Sequence, residues 1–208
     1  QITLNNTLTY YGALSHYGED IPLACVGVIS KVNILMLGFT LGISQGCQPI
    51  FSYNYGARQY SRVREAYRKA IVAASVICCI AFVCFQLFPR PIVALFDPSG
   101  SEEYFQFAER YFRIYMFMTL ANAFQPITAN FFTSIGKAKR GALIALTRQV
   151  IFLIPLILIF PLFLGIDGVM YAGPIADSAA VVVALALVTR EMKRMPHVDE
   201  PVAADTLV

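Results

Sequence analysis

Three charged side chains, Lys31, Arg148 and Asp177, lie inside long apolar stretches of the sequence. A charge at mid-depth in a bilayer costs about 2.5 to 3.5 kcal/mol unless it is paired, solvated or neutralised. Gly141 and Val169 begin two predicted spans at opposite faces of the membrane. At a helical rise of 1.5 Å per residue, Arg148 lies about 10 Å from the face at Gly141, and Asp177 lies about 12 Å from the face at Val169. In a hydrocarbon core of roughly 30 Å, the two residues then differ in depth by about 8 Å, a distance that the long arginine side chain can largely span. Two interpretations follow: a structural Arg148–Asp177 ion pair, or an Asp177 that faces an aqueous cavity and exchanges a proton.

Amide side chains form a second polar set. Gln45 and Gln48 are three residues apart and share one helix face, where they either line a polar cavity or hydrogen-bond a neighbouring helix. Gln125 precedes Pro126, which predicts a kink there. A broken helix rich in amides is typical of transporter substrate sites, although the same groups also join helices. The candidates for a substrate or cation cavity are Gln45, Gln48, Asn122, Gln125, Asn130, Arg148, Gln149 and Asp177.

Signatures of enzyme chemistry are not found in the sequence. It contains no Gly-Lys-Ser/Thr phosphate loop, no His-Glu-x-x-His and no Cys-x-x-Cys pair. His16 and His197 are too isolated in the sequence to form a metal site. The five cysteines all fall within apolar stretches, where small apolar packing is the favoured interpretation. We therefore expect no enzyme activity, no metal site and no cofactor.

The composition excludes a water-soluble domain. The 208 residues are 57% hydrophobic and only 14% charged, with a mean hydropathy of +0.61. The net charge of +3 comes from basic residues in short clusters between apolar runs, which does not indicate a nucleic-acid-binding face. These properties are typical of a polytopic membrane protein.

The apolar stretches predict an all-α bundle of six transmembrane helices. A bilayer core needs about 20 apolar helical residues, and the alternation typical of barrel strands is absent. The predicted spans are about 1–15, 21–51, 70–88, 111–135, 141–164 and 169–188. The first looks truncated and the chain opens with Gln1, so we expect a piece of a longer protein. Residues 1–194 would form the membrane domain, and residues 195–208 a flexible cytoplasmic tail.

The distribution of lysine and arginine predicts the orientation. Basic residues concentrate in 58–69, 137–140 and 190–194, while acidic residues concentrate in the alternate connections. The positive-inside rule then places the basic connections and the carboxyl terminus in the cytoplasm.

Three linked runs resemble a known family. They are GISQGCQPIFSYNYGARQYSRV (42–63), PRPIVALFD (89–97) and NFFTSIGKAKRGALIALTRQVIFLIPLILIFPLFLGIDGVMYAGPIADS (130–178). Together they resemble the carboxyl-terminal half of a bacterial multidrug and toxic compound extrusion (MATE) transporter. The resemblance implies helices seven to twelve of a twelve-helix protein with two six-helix lobes.

The resemblance also implies a function and partners. It implies a bacterial inner-membrane antiporter, coupled to protons or sodium, that exports cationic amphiphilic compounds by alternating access. The expected partners are small organic cations, the coupling ion, membrane lipids and the missing amino-terminal lobe, with no nucleic acid. The positions that match the family are Gln45, Gln48, Pro49, Asn54, Gly56, Asn130, Gly136, Arg148, Gln149 and Asp177.

Two other functions remain open at the level of sequence. A lipid-linked oligosaccharide flippase of the same superfamily would need more basic residues in its cavity than Lys31 and Arg148, because its cargo is a pyrophosphate. A channel or structural subunit would assemble six-helix units around a pore.

Overall fold

The computed structural model describes residues 2–15, 17–18, 20–96, 98, 100–196 and 199, without the side chains of Ile2 and Asn122. His16, His197 and most of the predicted tail lie outside this description. Within it the chain forms nine α-helices and no strand. The helices are α1 (Ile2–Ala13), α2 (Asp20–Gly56), α3 (Tyr60–Leu87), α4 (Pro89–Ala94), α5 (Glu102–Tyr115), α6 (Ala121–Ser134), α7 (Ala138–Leu146), α8 (Ile154–Leu164) and α9 (Ile166–Arg194).

Helix α2 is the central element of the bundle. It packs most extensively against α3 and α6 and also contacts α1 and α5. Steps of three and four residues return to the same helix face, so the buried positions at these spacings form one stripe. The stripe includes Cys25, Ile29, Val32, Met36, Thr40, Ser44 and Phe51.

The structure confirms an all-helical membrane bundle. Among the described residues, four helical stretches are long and apolar enough to cross a membrane: 20–56, 60–87, 138–164 and 166–194. The predicted first span corresponds to α1, which has only 12 residues. The count of six spans therefore stays a prediction.

The predicted span 111–135 is divided in the structure. Helix α5 ends at Tyr115, a 3-10 helix covers Met116–Met118, and α6 begins at Ala121. The backbone N–H and the side-chain hydroxyl of Thr119 both donate to the carbonyl of Met116, at 3.1 and 2.6 Å. These two bonds close a tight turn in place of a regular helical bond. Helix α6 runs through Pro126, so the break in this span lies earlier than the predicted kink.

A π-helical segment, Thr147–Leu153, joins α7 to α8. Pro155 follows directly in the first turn of α8. Proline has no backbone N–H, and its ring crowds the carbonyl four residues earlier, so a regular hydrogen-bond ladder cannot continue through this point. The widened turn carries Arg148 and Gln149, and π-bulges of this kind are frequent at functional sites.

The three basic connections meet at one end of the bundle, which we call the basic end. Arg64 of α3 donates from Nη2 to the carbonyl oxygens of Met195 at 2.8 Å and Pro196 at 2.7 Å. Lys137 and Arg140, at the start of α7, both pair with Glu191 of α9, a residue that is only 1% exposed. The structure thus gathers the basic clusters on one side of the bundle.

Part of the predicted flexible tail is docked at the basic end. Met195 is buried, and the carboxylate of Asp199 accepts hydrogen bonds from the backbone N–H of Ser61 at 2.9 Å and from its hydroxyl. These bonds hold the pKa of Asp199 below its ordinary value. Arg64 and Ser61 thus supply binding partners for Met195, Pro196 and Asp199 that composition alone does not indicate, and the flexibility of the tail as a whole stays a prediction.

The opposite end carries the α3–α4–α5 corner. Arg90 pairs with Glu102 at 2.6 Å and lies 3.7 Å from Glu109. Arg110 of α5 pairs with Asp167 at the start of α9, at 3.2 Å. These pairs are largely exposed, so solvent screens them and they contribute little to stability.

Candidate functional site

The ion pair expected between Arg148 and Asp177 is present in the interior of the bundle. The Nε of Arg148 donates to Oδ1 of Asp177 at 2.5 Å. The two side chains are 17% and 10% exposed. Because the pair joins the π-helical segment to α9, it connects two spanning helices through opposite charges in a medium of low dielectric constant.

A polar cavity of about 190 Å³ borders this pair. Its lining residues come from α1, α2, α5, the π-helical segment and α8: Thr3, Leu4, Ser30, Asn33, Ile34, Tyr115, Arg148, Gln149, Leu153, Ile154 and Ile157. Asp177 bonds to Arg148 but is not itself part of the lining. Because polar groups inside the membrane are costly, this concentration of them makes the cavity the candidate functional site.

The volume of this cavity limits what it holds. Pockets for drug-sized molecules measure about 300 to 1,000 Å³, so the described cavity suits an ion with its water shell rather than an amphiphilic drug. A larger ligand would need further residues, from another part of the protein, to enclose it.

Tyr115 belongs to the cavity although its sequence position gave no sign of this. It is the last residue of α5, and its ring stacks on Tyr111 with centroids 5.9 Å apart. Tyr111 in turn stacks on Phe107, so three aromatic residues spaced by four form a column on one helix face. Gly173 of α9 lies against Tyr115, and a Cβ there would come within 2.7 Å of the ring. Because Gly173 has no side chain, the ring of Tyr115 can pack directly against the backbone of α9 at this position.

Gln45 and Gln48 lie away from this cavity. Both are exposed on the outer face of α2, whereas the adjacent Ser44 is buried. Neither lines the cavity beside Arg148, and a cavity that includes them would have to be closed by another part of the protein.

Gln125 and Asn130 join helices. The amide of Gln125 donates to the carbonyl of Ile144 on α7 at 3.2 Å. The amide of Asn130 donates to the hydroxyl of Ser44 at 2.7 Å, and Ser44 donates to the carbonyl of Pro126 at 3.2 Å. In a bilayer these bonds link α6 to its neighbours.

Of the eight candidates, the structure brings together Arg148, Gln149 and Asp177. The side chain of Asn122 lies outside the described residues. In the described part of the chain no group of three or more His, Cys, Asp or Glu side chains is arranged to hold a metal ion.

Comparison with known proteins identifies the class. The MatE family model matches residues 7–159, and the chain therefore belongs to the MatE family. The multidrug export protein MepA of Staphylococcus aureus (strain bovine RF122 / ET3-1) is 23% identical over 175 residues. That match covers 84% of this chain and 38% of the relative. The MepA of Staphylococcus haemolyticus is 24% identical with the same coverage.

Solved structures agree with the family. The MATE multidrug transporter DinF-BH, solved as a complex, is 32% identical with a TM-score of 0.77, covering 91% of this chain and 41% of that one. An outward-facing multidrug resistance MATE transporter has a TM-score of 0.83 at 19% identity, covering 93% and 42%, which shows the shared fold. The chain thus spans about two fifths of the length of the proteins it matches.

Proposed function

We propose that the chain is the carboxyl-terminal six-helix lobe of a cation-coupled antiporter that exports cationic amphiphilic compounds by alternating access. Membership of the MatE family supports this, as does the length of the matched relatives, which leaves room for a second lobe. The relatives are named multidrug export proteins, and one solved neighbour is named a MATE multidrug transporter.

The observation that carries the proposal is the Arg148–Asp177 pair at the edge of a polar cavity. While the pair is intact, its charges cancel and the cavity tolerates a cationic substrate. A proton or sodium ion that binds Asp177 competes with Arg148 and leaves the guanidinium without its counter-charge. The freed positive charge then repels a cationic substrate.

This competition couples the two ligands. If the coupling cation weakens substrate binding by some factor, the substrate weakens cation binding by the same factor. Coupling of this kind typically amounts to about 1 to 3 kcal/mol, or roughly 5- to 150-fold in affinity. The inward cation gradient would thereby drive substrate release on the outer side.

The proposal includes an arrangement in the membrane. The protein lies in the bacterial cytoplasmic membrane, surrounded by its lipids, with the basic end and the carboxyl terminus in the cytoplasm. The amino-terminal lobe supplies the second wall that the cavity of about 190 Å³ needs for a drug-sized substrate. Gln45 and Gln48, exposed on α2, would line that larger chamber.

Dye resistance in cells that express the full-length protein tests the proposal. Asp177→Asn should abolish resistance to cationic dyes, since the amide neither pairs with Arg148 as an anion nor binds the coupling cation. Asp167→Asn is the matched control, because Asp167 lies on the same helix in a partly exposed pair with Arg110. Full resistance with Asp177→Asn, at the same amount of protein in the membrane, would contradict the proposal.

A flippase and a channel are the remaining alternatives. Of the two intramembrane basic residues, Arg148 lines the cavity and is paired, while Lys31 is exposed on α2. That leaves little free positive charge for a pyrophosphate cargo. In proteoliposomes of the full-length protein, gradient-driven dye movement supports the antiporter, and passive ion conductance supports the channel.

A further inference from the structure

A second cavity, separate from the polar one, lies between α2 and α3 near the basic end. It is a groove of about 510 Å³. Its lining residues are Ile43, Cys47, Ile50, Asn54, Arg62, Glu65, Ala66, Lys69, Ala70 and Ala73. None of them lines the cavity beside Arg148.

Small side chains on α3 create this groove. Three alanines repeat at steps of four and three residues and so share one face of the helix: Ala66, Ala70 and Ala73. The opposing face of α2 carries Ile43, Cys47 and Ile50 at the same steps. Because alanine reaches only one carbon from the backbone, the two helices enclose an apolar trough.

Charged side chains surround the mouth of the trough. Lys69 pairs with Glu65 at 2.7 Å, and both are largely exposed. Arg62 is exposed and interacts electrostatically with the Glu65 carboxylate, although among the described residues it forms no ion pair within 4 Å. With two cations and one anion, the mouth therefore carries a net charge of one positive unit. The amide of Asn54 is occupied by the carbonyl of Ile50 at 2.8 Å.

The groove lies where α3 enters the membrane. From Arg62 to Ala73 the helix advances by about 16 Å at 1.5 Å per residue. The predicted span begins at Ala70, so Arg62 and Lys69 lie at the level of the headgroups, and the inner end of the trough at Ala73 reaches about 5 Å into the hydrocarbon core. Basic pockets between transmembrane helices are typical sites for anionic lipid headgroups.

We propose that the α2–α3 groove binds an anionic glycerophospholipid from the leaflet that borders the basic end. The phosphate contacts Arg62 and Lys69, and the glycerol backbone with the first part of one acyl chain lies in the trough along Ala66, Ala70 and Ala73. Charge complementarity at the mouth selects the anionic headgroup over a cationic drug, which Arg62 would repel. The acyl chain fills a space that the protein itself leaves open.

Lipid titration of the purified full-length protein, followed by native mass spectrometry, tests this assignment. The probes are dioleoyl phosphatidylglycerol and dioleoyl phosphatidylcholine, which share acyl chains and differ in net charge. The wild type should bind phosphatidylglycerol about fivefold more tightly, the contribution expected from one basic residue near an anionic headgroup. Arg62→Gln should remove that preference.

Two further variants sharpen the test. Arg68→Gln is the matched control, because Arg68 is an exposed arginine on the same helix that does not line the groove; this variant should keep the preference. Ala73→Leu fills the inner end of the trough at an exposed position and should weaken binding of both lipids. Equal affinity of the wild type for the two lipids, equal effects of Arg62→Gln and Arg68→Gln, or undiminished binding to Ala73→Leu would each overturn the proposal.

Discussion

Arg148 donates to Asp177 from a π-helical turn, so that one partner of the ion pair lies on a distorted segment and the other on a regular helix. The widened turn and the following Pro155 fix the direction in which the guanidinium leaves the backbone. The pair therefore depends on two features, the charges themselves and the local geometry of 147–153.

Neutralising both members of the pair should disturb the fold less than neutralising one. Arg148→Gln or Asp177→Asn alone leaves a buried charge without its partner, which costs about 3 to 5 kcal/mol. The double variant Arg148→Gln/Asp177→Asn removes both charges and leaves two amides that can hydrogen-bond, so its thermal unfolding temperature in detergent should exceed that of either single variant. Transport should nevertheless stay abolished, because no group is left to exchange the coupling cation.

Restored transport in the double variant would assign the pair a purely structural role. An unfolding temperature of the double variant below that of both single variants would contradict the pairing itself.

Glu191 should stabilise the basic end because it neutralises two cations at once. Glu191→Gln leaves Lys137 and Arg140 without their shared carboxylate. The expected loss is about 1 to 3 kcal/mol, below the range for fully buried pairs because both cations are 35% exposed. Chemical denaturation of the full-length protein in detergent measures it.

Glu102→Gln provides the comparison for Glu191. Its pair with Arg90 is exposed by half or more on both sides, so a much smaller loss of stability is expected than for Glu191→Gln. Equal losses of unfolding free energy for the two substitutions would show that the burial of Glu191 does not strengthen its ion pairs.

Gly173→Ala should displace Tyr115 and reduce transport. The added Cβ would meet the ring at 2.7 Å, a distance that forces either the ring or α9 to move. Overpacking of this kind costs about 1 to 3 kcal/mol. Gly27→Ala is the control, since space around Gly27 is open. Dye efflux that is equally fast in both variants would remove Tyr115 from the site.

Asp199→Ala should release the chain end at α3. Limited trypsin digestion, with fragments identified by mass spectrometry, should show faster cleavage after Arg194 than in the wild type. Asp199→Asn should give an intermediate rate, because its amide oxygen still accepts from Ser61. Identical cleavage of all three proteins would contradict the docking.

The pH dependence of this contact follows from the lowered pKa of Asp199. A depressed pKa in the folded state means that the contact is present above the ordinary Asp pKa of about 3.9 and is lost only as the pH falls through the lower folded value. Cleavage that is corrected for the activity of trypsin should therefore be constant between about pH 5 and about pH 8.

The sequence predicted the features that depend on long apolar runs and on charge. The windows around Lys31, Ala74 and Val181 are helical because a bilayer requires internal backbone hydrogen bonds. Depth allowed an Arg148–Asp177 ion pair as one of two interpretations, and the pair is present. The basic connections meet at one end because successive spans alternate in direction.

Apolar runs and charge did not predict the local geometry of turns and side-chain contacts. The turn at Thr119 depends on its hydroxyl, which donates to the carbonyl of Met116. The presence of a threonine in the sequence does not by itself predict this bond. An amide side chain can line a cavity or join two helices, and its residue type does not tell which. Only the fold shows that Gln45 is exposed, whereas Gln125 and Asn130 bond neighbouring helices. Tyr115 enters the site through contact with Gly173, which lies far from it in the sequence.

The affinity of the purified full-length protein for a cationic dye, measured against pH and against sodium concentration, tests the central claim most directly. In the wild type, dye affinity should fall as protons or sodium ions displace Arg148 from Asp177, and Asp177→Asn should remove that dependence. A wild-type affinity that responds to neither ion, or the same ion dependence in Asp177→Asn, would contradict the account.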